Sequence, residues 1–317
     1  MSTSRIHRGP SSGTEHIHLA RTRDAAATPR SRVAILGTGK MGSAIAAGLA
    51  EAGFELTLWN RTKERALALG IGRVADSPAL ATRDADVVIS SLTGPDAVRA
   101  AYLGPAGALG AAEGTIFVEM STAGPDVEAE LQPLIARAGS QLVDATIVGA
   151  PPVVEQGEAA ILVGGAAADV ERARPILAHL GTVRHVGQAG NGARLKLVAN
   201  SALAIVVAGA AELQHAGEAA GLDPGDVFWI LARTVPSLEV RRPAYVDGEL
   251  QTTMFAMHDL RKDLDLALGL FHADDAPVPM TAIARELIGL ALVEYSDQDI
   301  GAIARLYDRP RAEPADR

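Results

Sequence analysis

Residues 32–62 read RVAILGTGKMGSAIAAGLAEAGFELTLWNRT. An apolar run at 33–36 leads directly into the pattern G-x-G-x-x-G, and a helix-period apolar stripe then precedes a second apolar run. This order predicts a strand, a tight turn, a helix and a second strand. In such a unit Gly37 permits the turn, Gly39 lets a diphosphate approach the backbone, and Gly42 lets the helix pack closely on the strand. The stretch therefore predicts a doubly wound α/β fold that binds a dinucleotide.

The end of the second strand indicates which dinucleotide is bound. A carboxylate there accepts hydrogen bonds from the ribose 2′-hydroxyl of NAD, whereas the 2′-phosphate of NADP requires an arginine and no nearby negative charge. The chain has Asn60, Arg61 and Thr62 at this position, which predicts NADPH. The alternative is that Arg61 is an ordinary solvated residue. The predicted cofactor contacts in this unit are Gly37, Thr38, Gly39, Lys40, Met41, Gly42, Asn60, Arg61 and Thr62.

Composition narrows the class of protein. The chain has 317 residues, of which 48% are apolar and 3% aromatic, so we expect a large core built by close helix packing. The net charge of −9 and the lack of a basic cluster in the folded part argue against nucleic acid or an anionic membrane surface as a partner. The chain has no cysteine, which excludes disulfides and cysteine metal sites, and no metal site is predicted. No transmembrane span is predicted, because the long apolar runs have an amphipathic helical pattern.

Residues 1–31 differ from the rest of the chain. They are polar, rich in arginine and poor in acidic residues, and they contain Pro10 and Pro29. This composition predicts a disordered tail. Its prolines and histidines interrupt any amphipathic helix, and it has no apolar signal-peptide core. An unstructured extension or tag is therefore favoured over a targeting peptide, and a cytoplasmic location is expected.

Beyond the first unit, apolar runs of strand length alternate with helical patterns. The strand-like runs are 85–92, 115–120, 141–148, 159–163 and 183–186, and the helical stretches between them are 127–138 and 170–179. This alternation predicts one Rossmann-like, NADP-binding domain over 32–191. Leu92 and Thr93 are placed with the cofactor, because open parallel sheets bind ligands at the carboxyl ends of their strands.

The pattern changes after residue 191. Strong helix formers run almost unbroken over 193–220 and end at Gly221. The later helical patterns are 224–233, 258–272, 279–294 and 299–306. The sequence therefore predicts a long interdomain helix and an all-α domain over 192–317, which serves substrate binding and dimerisation.

Four motifs follow one another along the chain. They are the glycine fingerprint, EMSTAGP at 119–125, GNGARLKLVAN at 190–200 and KDL at 262–264. With these motifs the chain resembles the β-hydroxyacid dehydrogenase family, which includes 3-hydroxyisobutyrate dehydrogenases and glyoxylate/succinic semialdehyde reductases. The resemblance covers about residues 32–306. The family pattern GxGxxxKxxxN is matched at Gly190, Gly192, Lys196 and Asn200.

The resemblance implies roles for three polar side chains. Lys196 is the implied general acid/base, Asn200 is its orienting partner or a substrate contact, and Lys262 lies near the nicotinamide and the substrate. These residue types fit the chemistry, because hydride reduction of a carbonyl requires a proton donor, and residues four apart share a helix face. A neighbouring cation such as Lys262 would lower the pKa of Lys196. The alternative for Lys196 is a solvated or snorkelling side chain.

Further contacts are implied on both sides of the nicotinamide. Ser121 is the implied substrate-contacting hydroxyl, with a turn or helix-capping role as the alternative. Thr122 and Phe255 are placed with the cofactor, with core packing as the alternative for Phe255. Asp263 is predicted to be structural, as a charge near a helix start.

One loop departs from the family pattern. Where carboxylate-binding members typically read DAPVSGG, this chain reads DATIVGA at 144–150. Val148 thus replaces a hydroxyl donor and Ala150 replaces a glycine, and both are predicted with Gly149 to line the substrate pocket. Loss of a polar partner for a buried substrate group costs about 1–3 kcal/mol. The loop therefore favours a bulkier or less charged carbonyl substrate.

Together these features predict an NADPH-dependent reductase that transfers hydride to a small aldehyde or semialdehyde acid. An NADPH-dependent imine reductase is the second prediction, favoured by the apolar loop at 147–150, although imine reductases generally carry aspartate or tyrosine at the position of Lys196. A non-catalytic NADP-binding sensor or scaffold is the third. The expected partners are a small-molecule substrate and further copies of the chain in a homodimer or homotetramer.

Overall fold

The computed structural model describes residues 31–110, 113–250 and 252–308. The expected disordered tail, residues 1–31, lies outside the described residues except for Ser31. One sheet contains the strands β1 (Arg32–Leu36), β2 (Glu55–Trp59), β3 (Arg73–Val74), β4 (Val87–Ser90), β5 (Ile116–Glu119), β6 (Gln141–Val148), β7 (Ala159–Gly164) and β8 (Gly181–His185).

The strands are arranged in the order β3-β2-β1-β4-β5-β6-β7-β8. Strands β1 to β6 run parallel, whereas β7 is antiparallel to β6 and parallel to β8. The direction of winding reverses at β1, which lies between β2 and β4. The carboxyl ends of β1 and β4 therefore flank the crevice in which sheets of this kind bind their ligands.

Helices cover both faces of the sheet. They are α1 (Lys40–Glu51), α2 (Lys63–Leu67), α3 (Pro78–Thr82), α4 (Pro95–Leu103), α5 (Pro125–Arg137), α6 (Pro151–Glu155) and α7 (Ala167–Leu177). Alternate residues of β1 enter two separate apolar cores, with Val33 and Ile35 in one and Ala34 and Leu36 in the other. This explains the unbroken apolar run, because a parallel strand with both faces covered has no polar side.

Beyond the sheet the chain is helical. Its helices are α8 (Asn191–Ala219), α9 (Pro224–Thr234), α10 (Met257–Ala273) and α11 (Pro279–Tyr295). This half also contains a short π-helix, Pro243–Asp247, and two 3₁₀ segments, Pro236–Arg241 and Ile300–Tyr307. The helix expected at 299–306 is thus a 3₁₀ segment. A third apolar core joins these elements, including Phe228, Leu260, Ile288 and Ile303.

The sheet fixes the start of α8 through a buried carboxylate. The two oxygens of Asp144 accept hydrogen bonds from the backbone N–H groups of Gly190 at 2.7 Å and Ala193 at 2.8 Å. Burial raises the pKa of Asp144, and these backbone hydrogen bonds oppose the shift. A Cβ on Gly192 would lie 2.6 Å from the same carboxylate, so this position requires glycine. Strand β6 therefore sets where α8 begins, and with it where Lys196 lies one turn later.

Helix α8 is long and apolar enough to cross a membrane by length and composition alone. It has 29 residues and a mean hydropathy of 1.5 over its most apolar window. Core helices of folded proteins pass the same test, and 50% of this window is buried inside the protein.

Several large apolar side chains of the helical half are exposed. Trp229 and Ile230 on α9 are 62% and 53% exposed, and Leu290 and Val293 on α11 are 63% and 85% exposed. Exposed apolar patches often mark contact surfaces. The expected homodimer or homotetramer stays a prediction, as does the cytoplasmic location.

Candidate active site

The glycine fingerprint forms the turn between β1 and α1. Gly37 has a φ of +100°, and a Cβ there would lie 2.2 Å from the carbonyl oxygen of Ser91. A Cβ on Gly42 would lie 2.1 Å from the Gly37 carbonyl oxygen, so only glycine lets α1 approach the strand this closely. Apart from Gly39 itself and its two chain neighbours, no heavy atom of the described residues lies within 4 Å of the Cβ position of Gly39. The turn therefore leaves open space at the N-terminus of α1, which fits the diphosphate of a dinucleotide.

Asn60 holds this turn from the end of β2. Its Oδ1 accepts a hydrogen bond from the Thr38 N–H at 3.0 Å, and its Nδ2 donates to the Thr62 carbonyl at 2.8 Å. Asn60 was predicted as a cofactor contact, and the structure shows that both ends of its amide bind the protein itself. Arg61 lies between Asn60 and Thr62 in the sequence. It is exposed and makes no hydrogen bond or ion pair within the described part of the chain.

The loop after β5 is tied to the end of β4. The hydroxyl oxygen of Ser121 accepts a hydrogen bond from the Leu92 N–H at 2.8 Å. The Ser121 N–H donates to the Glu119 carboxylate at 2.7 Å, and the Ser90 hydroxyl donates to the same carboxylate at 2.5 Å. The Ser121 hydroxyl also forms a side-chain hydrogen bond with this carboxylate, so it is held by both Leu92 and Glu119. Burial raises the pKa of Glu119, and the hydrogen bonds from the two serines oppose the shift.

Lys196 lies on α8 with its side chain half-buried. Burial lowers the pKa of its ammonium group, and the nearby charge of Lys262 lowers it further, whereas Asp263 acts in the opposite direction. Within the described residues the ammonium group makes no hydrogen bond. A cation that is partly desolvated and lacks a partner is suited to give its proton to a ligand.

Lys262 connects the helical half to the sheet edge. Its Nζ donates to the Thr122 carbonyl at 2.8 Å and forms an ion pair with Asp263. The second carboxylate oxygen of Asp263 accepts a hydrogen bond from Nδ2 of Asn200 at 2.6 Å. The aliphatic part of Lys262 packs over Gly94, whose added Cβ would lie 3.1 Å from it. The structure thus brings residues of α8, α10 and the sheet edge into one polar cluster.

Asp263 has a role that the sequence analysis missed. It was predicted as a charge near a helix start, but α10 begins at Met257, more than a turn earlier, and Asp263 is only 2% exposed. Burial raises the pKa of Asp263, and the Lys262 ammonium opposes the shift. The carboxylate joins Lys262 to Asn200 and lies close enough to Lys196 to affect its pKa. The KDL triplet was the available signal, because it places an acid beside a predicted site lysine.

The other predicted cofactor contacts lie on different sides of the site. Thr93 is exposed after β4, and Thr122 is half-buried after β5. The side chain of Phe255 packs against the core of the helical half, and its N–H donates to Asp299 at 3.1 Å. The side chain of Met41 is half-buried and packs against a core beside the sheet.

The predicted substrate wall follows β6 at the same sheet edge. Val148 is the last residue of β6 and is 38% exposed. Gly149 is exposed and Ala150 is half-buried, and α6 then begins with two prolines. Because β6 runs parallel to β1 and β4, this wall lies at the carboxyl edge together with the fingerprint. Over the described residues, no group of three or more His, Cys, Asp or Glu side chains could hold a metal ion.

A buried carboxyl group lies in α5, which packs on the sheet. Glu128 is 1% exposed, and neither of its side-chain oxygens has a hydrogen-bond partner among the described residues. Burial and the nearby Glu119 and Asp144 raise the pKa of Glu128 to about 9, against the opposing effects of its own backbone N–H and of Arg194. Glu128 therefore carries its proton at neutral pH.

As the pH rises, the Glu128→Gln variant should be destabilised less than the native protein. The pKa of about 9 in the folded state exceeds the ordinary 4.5, so the folded state binds more protons between these values. The stabilisation by the protonated Glu128 is fully present below pH 4.5. Above this pH the free energy of unfolding falls by about 1.4 kcal/mol per pH unit, until the pH passes the folded-state pKa of about 9. An amide cannot ionise. We expect the melting temperature of the variant to fall less than that of the native protein between about pH 6 and about pH 9.

The exposed Glu51→Gln substitution is the matched control for this measurement. Parallel melting curves for Glu128→Gln and the native protein over this pH range would show that Glu128 is already ionised in the folded state.

Two family models cover the described chain almost completely. Residues 32–190 match the NAD binding domain of 6-phosphogluconate dehydrogenase, and residues 190–307 match the NAD-binding domain of NADP-dependent 3-hydroxyisobutyrate dehydrogenase. The chain belongs to the β-hydroxyacid dehydrogenase family. The predicted family and fold class, a Rossmann-like N-terminal half with a helical C-terminal half, are thereby confirmed.

Individual relatives agree with this assignment. This β-hydroxyacid dehydrogenase is 31% identical over 297 residues to 3-hydroxyisobutyrate dehydrogenase of Pseudomonas aeruginosa, covering 87% of this chain and 98% of that protein. It is 30% identical over 279 residues to chloroplastic glyoxylate/succinic semialdehyde reductase 2 of Arabidopsis thaliana, covering 86% and 78%. The solved 3-hydroxyisobutyrate dehydrogenase of Mycobacterium tuberculosis with L-serine has a TM-score of 0.78 at 26% identity, covering 88% and 99%. The chain is therefore an NAD(P)-dependent oxidoreductase that acts on CH–OH groups.

Proposed function

We propose that this β-hydroxyacid dehydrogenase is an NADPH-dependent reductase of a small aldehyde or semialdehyde acid, with Lys196 as the proton donor. The observation that carries the proposal is the half-buried ammonium group of Lys196, which has no hydrogen-bond partner among the described residues and whose pKa is lowered first by burial. Asn200 lies four residues later on the same helix face and is held by Asp263. A half-buried lysine near such a carboxylate and a second lysine is a candidate functional group, because the fold sets both its proton affinity and its surroundings.

The residues of the cluster divide the chemistry between them. When bound, the nicotinamide supplies the hydride that adds to the carbonyl carbon. Lys196 gives a proton to the carbonyl oxygen as it gains negative charge, which completes the alcohol, and then regains a proton from solvent. The lowered pKa of Lys196 makes this transfer easier than it is for an ordinary lysine. Asp263 holds Lys262 and Asn200 in place, so neither side chain has to reorganise during the reaction.

The proposal for NADPH rests on the strand tip after β2. Arg61 is exposed and free of protein partners in the described chain, and Asn60 and Thr62 on either side of it carry no charge. A guanidinium group in this position can bind a 2′-phosphate with two parallel hydrogen bonds. NADH lacks this phosphate and would leave the guanidinium in water.

The proposed substrate offers a hydrogen-bond acceptor on one side and an apolar or weakly polar group on the other. The Ser121 hydroxyl lies on the polar side, and its hydrogen can turn from the Glu119 carboxylate to a substrate acceptor. The wall formed by Val148, Gly149 and Ala150 offers no side-chain hydrogen bond to a carboxylate. By its name, the Pseudomonas aeruginosa relative acts on a hydroxy acid, and the Arabidopsis thaliana relative acts on glyoxylate or succinic semialdehyde, which supports small oxo acids as candidates.

A substrate screen tests this function. We expect NADPH absorbance to fall with at least one compound from a panel of glyoxylate, succinic semialdehyde and uncharged aldehydes of similar length. The apolar wall leads us to expect that longer aldehydes are reduced faster than glyoxylate. Turnover with cyclic imines but with no aldehyde would replace this proposal by the imine reductase alternative. Binding of NADPH without turnover of any member would favour the non-catalytic alternative.

A further inference from the structure

Lys40 breaks a local rule of helix electrostatics. It is the first residue of α1, where the exposed N–H groups give the helix end a partial positive charge. Acidic residues usually occupy this turn, but the first turn of α1 has none, and the cap residue Gly39 has no side chain with which to cap the helix. A lysine here adds a second positive charge beside the open space at Gly39. Local rules of this kind are broken mainly at functional sites.

The ammonium group of Lys40 reaches the other half of the protein. Its Nζ donates a hydrogen bond to the carbonyl oxygen of Thr253 at 2.8 Å. Thr253 belongs to a segment, residues 252–256, which precedes α10 and has no helix or strand of its own. Among the described residues, this is the one hydrogen bond that joins the segment to the sheet half.

The opposite side of the segment is firmly held. Asp299 accepts hydrogen bonds from the N–H groups of Met254 and Phe255, both at 3.1 Å, and also from Nε of Arg241 at 3.2 Å. The Ile300 N–H donates to the Phe255 carbonyl at 3.0 Å. Segment 252–256 is therefore fixed to the helical half, and Lys40 ties its outer edge to the nucleotide turn.

An ammonium group has three donors and Thr253 occupies one of them. Two donors remain, at the helix end that fits a diphosphate. We propose that Lys40 is a clasp, which binds the diphosphate of the dinucleotide and the Thr253 carbonyl at the same time. Cofactor binding then holds segment 252–256, and with it Phe255, against the sheet edge. Lys40 acts on the reaction through this segment, and so it is a positioning residue. The inference rests on the proposed dinucleotide site.

The test compares Lys40→Met and Lys40→Arg in the full-length protein. NADPH and NADH affinities are measured by fluorescence, and hydrogen exchange is followed in the peptide that contains residues 252–256. The methionine variant should bind both dinucleotides about fivefold more weakly, because the diphosphate is common to both. In the native protein NADPH should slow exchange in the peptide, and this slowing should be lost in Lys40→Met and kept in Lys40→Arg.

Arg137→Met is the matched control, because Arg137 also makes an exposed bond from a cation to a carbonyl, to Pro133 at 3.2 Å. It should leave both readouts unchanged. Weaker binding in Lys40→Met with undiminished slowing of exchange would make Lys40 a phosphate ligand only and overturn the clasp. Unchanged binding and exchange would overturn it as well. If the native protein bound no dinucleotide, the proposed function would fail. The contact between Lys40 and Thr253 is tested apart from the cofactor, because equal exchange of residues 252–256 in the unliganded native and methionine proteins would contradict it.

Discussion

The Lys196→Met variant should bind NADPH as the native protein does and yet lose turnover by about 10²- to 10⁴-fold, which is the usual contribution of a positioned general acid. Methionine keeps an unbranched side chain of similar length and removes only the charged group. Since the ammonium group is half-buried and has no hydrogen-bond partner within the described chain, its removal leaves no protein group unsatisfied. We therefore expect a folded protein whose defect lies in the chemical step.

The measurement is a pair of experiments on the same preparation. NADPH affinity is measured by fluorescence, and single-turnover reduction of the best aldehyde is followed by NADPH absorbance. Arg184→Met, which removes an exposed cation on β8, serves as the control. Turnover in Lys196→Met equal to that of the control would remove the proton-donor assignment.

The Arg61→Ala variant should lose affinity for NADPH by about 10- to 100-fold and keep its affinity for NADH within about twofold. Hydrogen bonds to a charged group contribute about 1.5–3 kcal/mol, and each 1.4 kcal/mol corresponds to tenfold in affinity. NADH has no 2′-phosphate and so loses nothing when the guanidinium is removed. The specificity ratio should therefore change while the shared diphosphate site stays intact.

Arg65→Ala is the control for this experiment. Arg65 is an exposed arginine in α2, four residues after Arg61, and it contributes the same charge to the surface. It should change both affinities by less than about twofold. Equal losses for NADPH and NADH in Arg61→Ala would mean that Arg61 supports the turn rather than recognising the phosphate. No loss for either would mean that it is an ordinary surface residue.

The sheet could be predicted from sequence where its strands are long and apolar. The runs around β1, β4, β5 and β6 are recognisable because burial on both faces makes most of their positions apolar. Strand β3 has two residues and α2 and α3 have five each, so they are too short to show a period. The antiparallel direction of β7 was missed, because an apolar run carries no information on which way its neighbour points.

The candidate site could be predicted in part from motif spacing. The resemblance placed Lys196, Asn200 and Lys262 together, and the structure brings them into one cluster. The role of Asp263 depends on how α10 crosses α8, which no local pattern records. The contact of Lys40 with Thr253 joins residues that are distant in sequence and also could not be predicted.

The pH dependence of kcat/KM for aldehyde reduction tests the central claim most directly. Reduction requires protonated Lys196, so the rate should fall as the pH rises through the pKa of this group. Because burial lowers that pKa, the fall should occur at lower pH than an ordinary lysine would give. We expect this alkaline limb in the native protein and its absence from the residual activity of Lys196→Met. An alkaline limb with the same midpoint in both proteins would contradict the account.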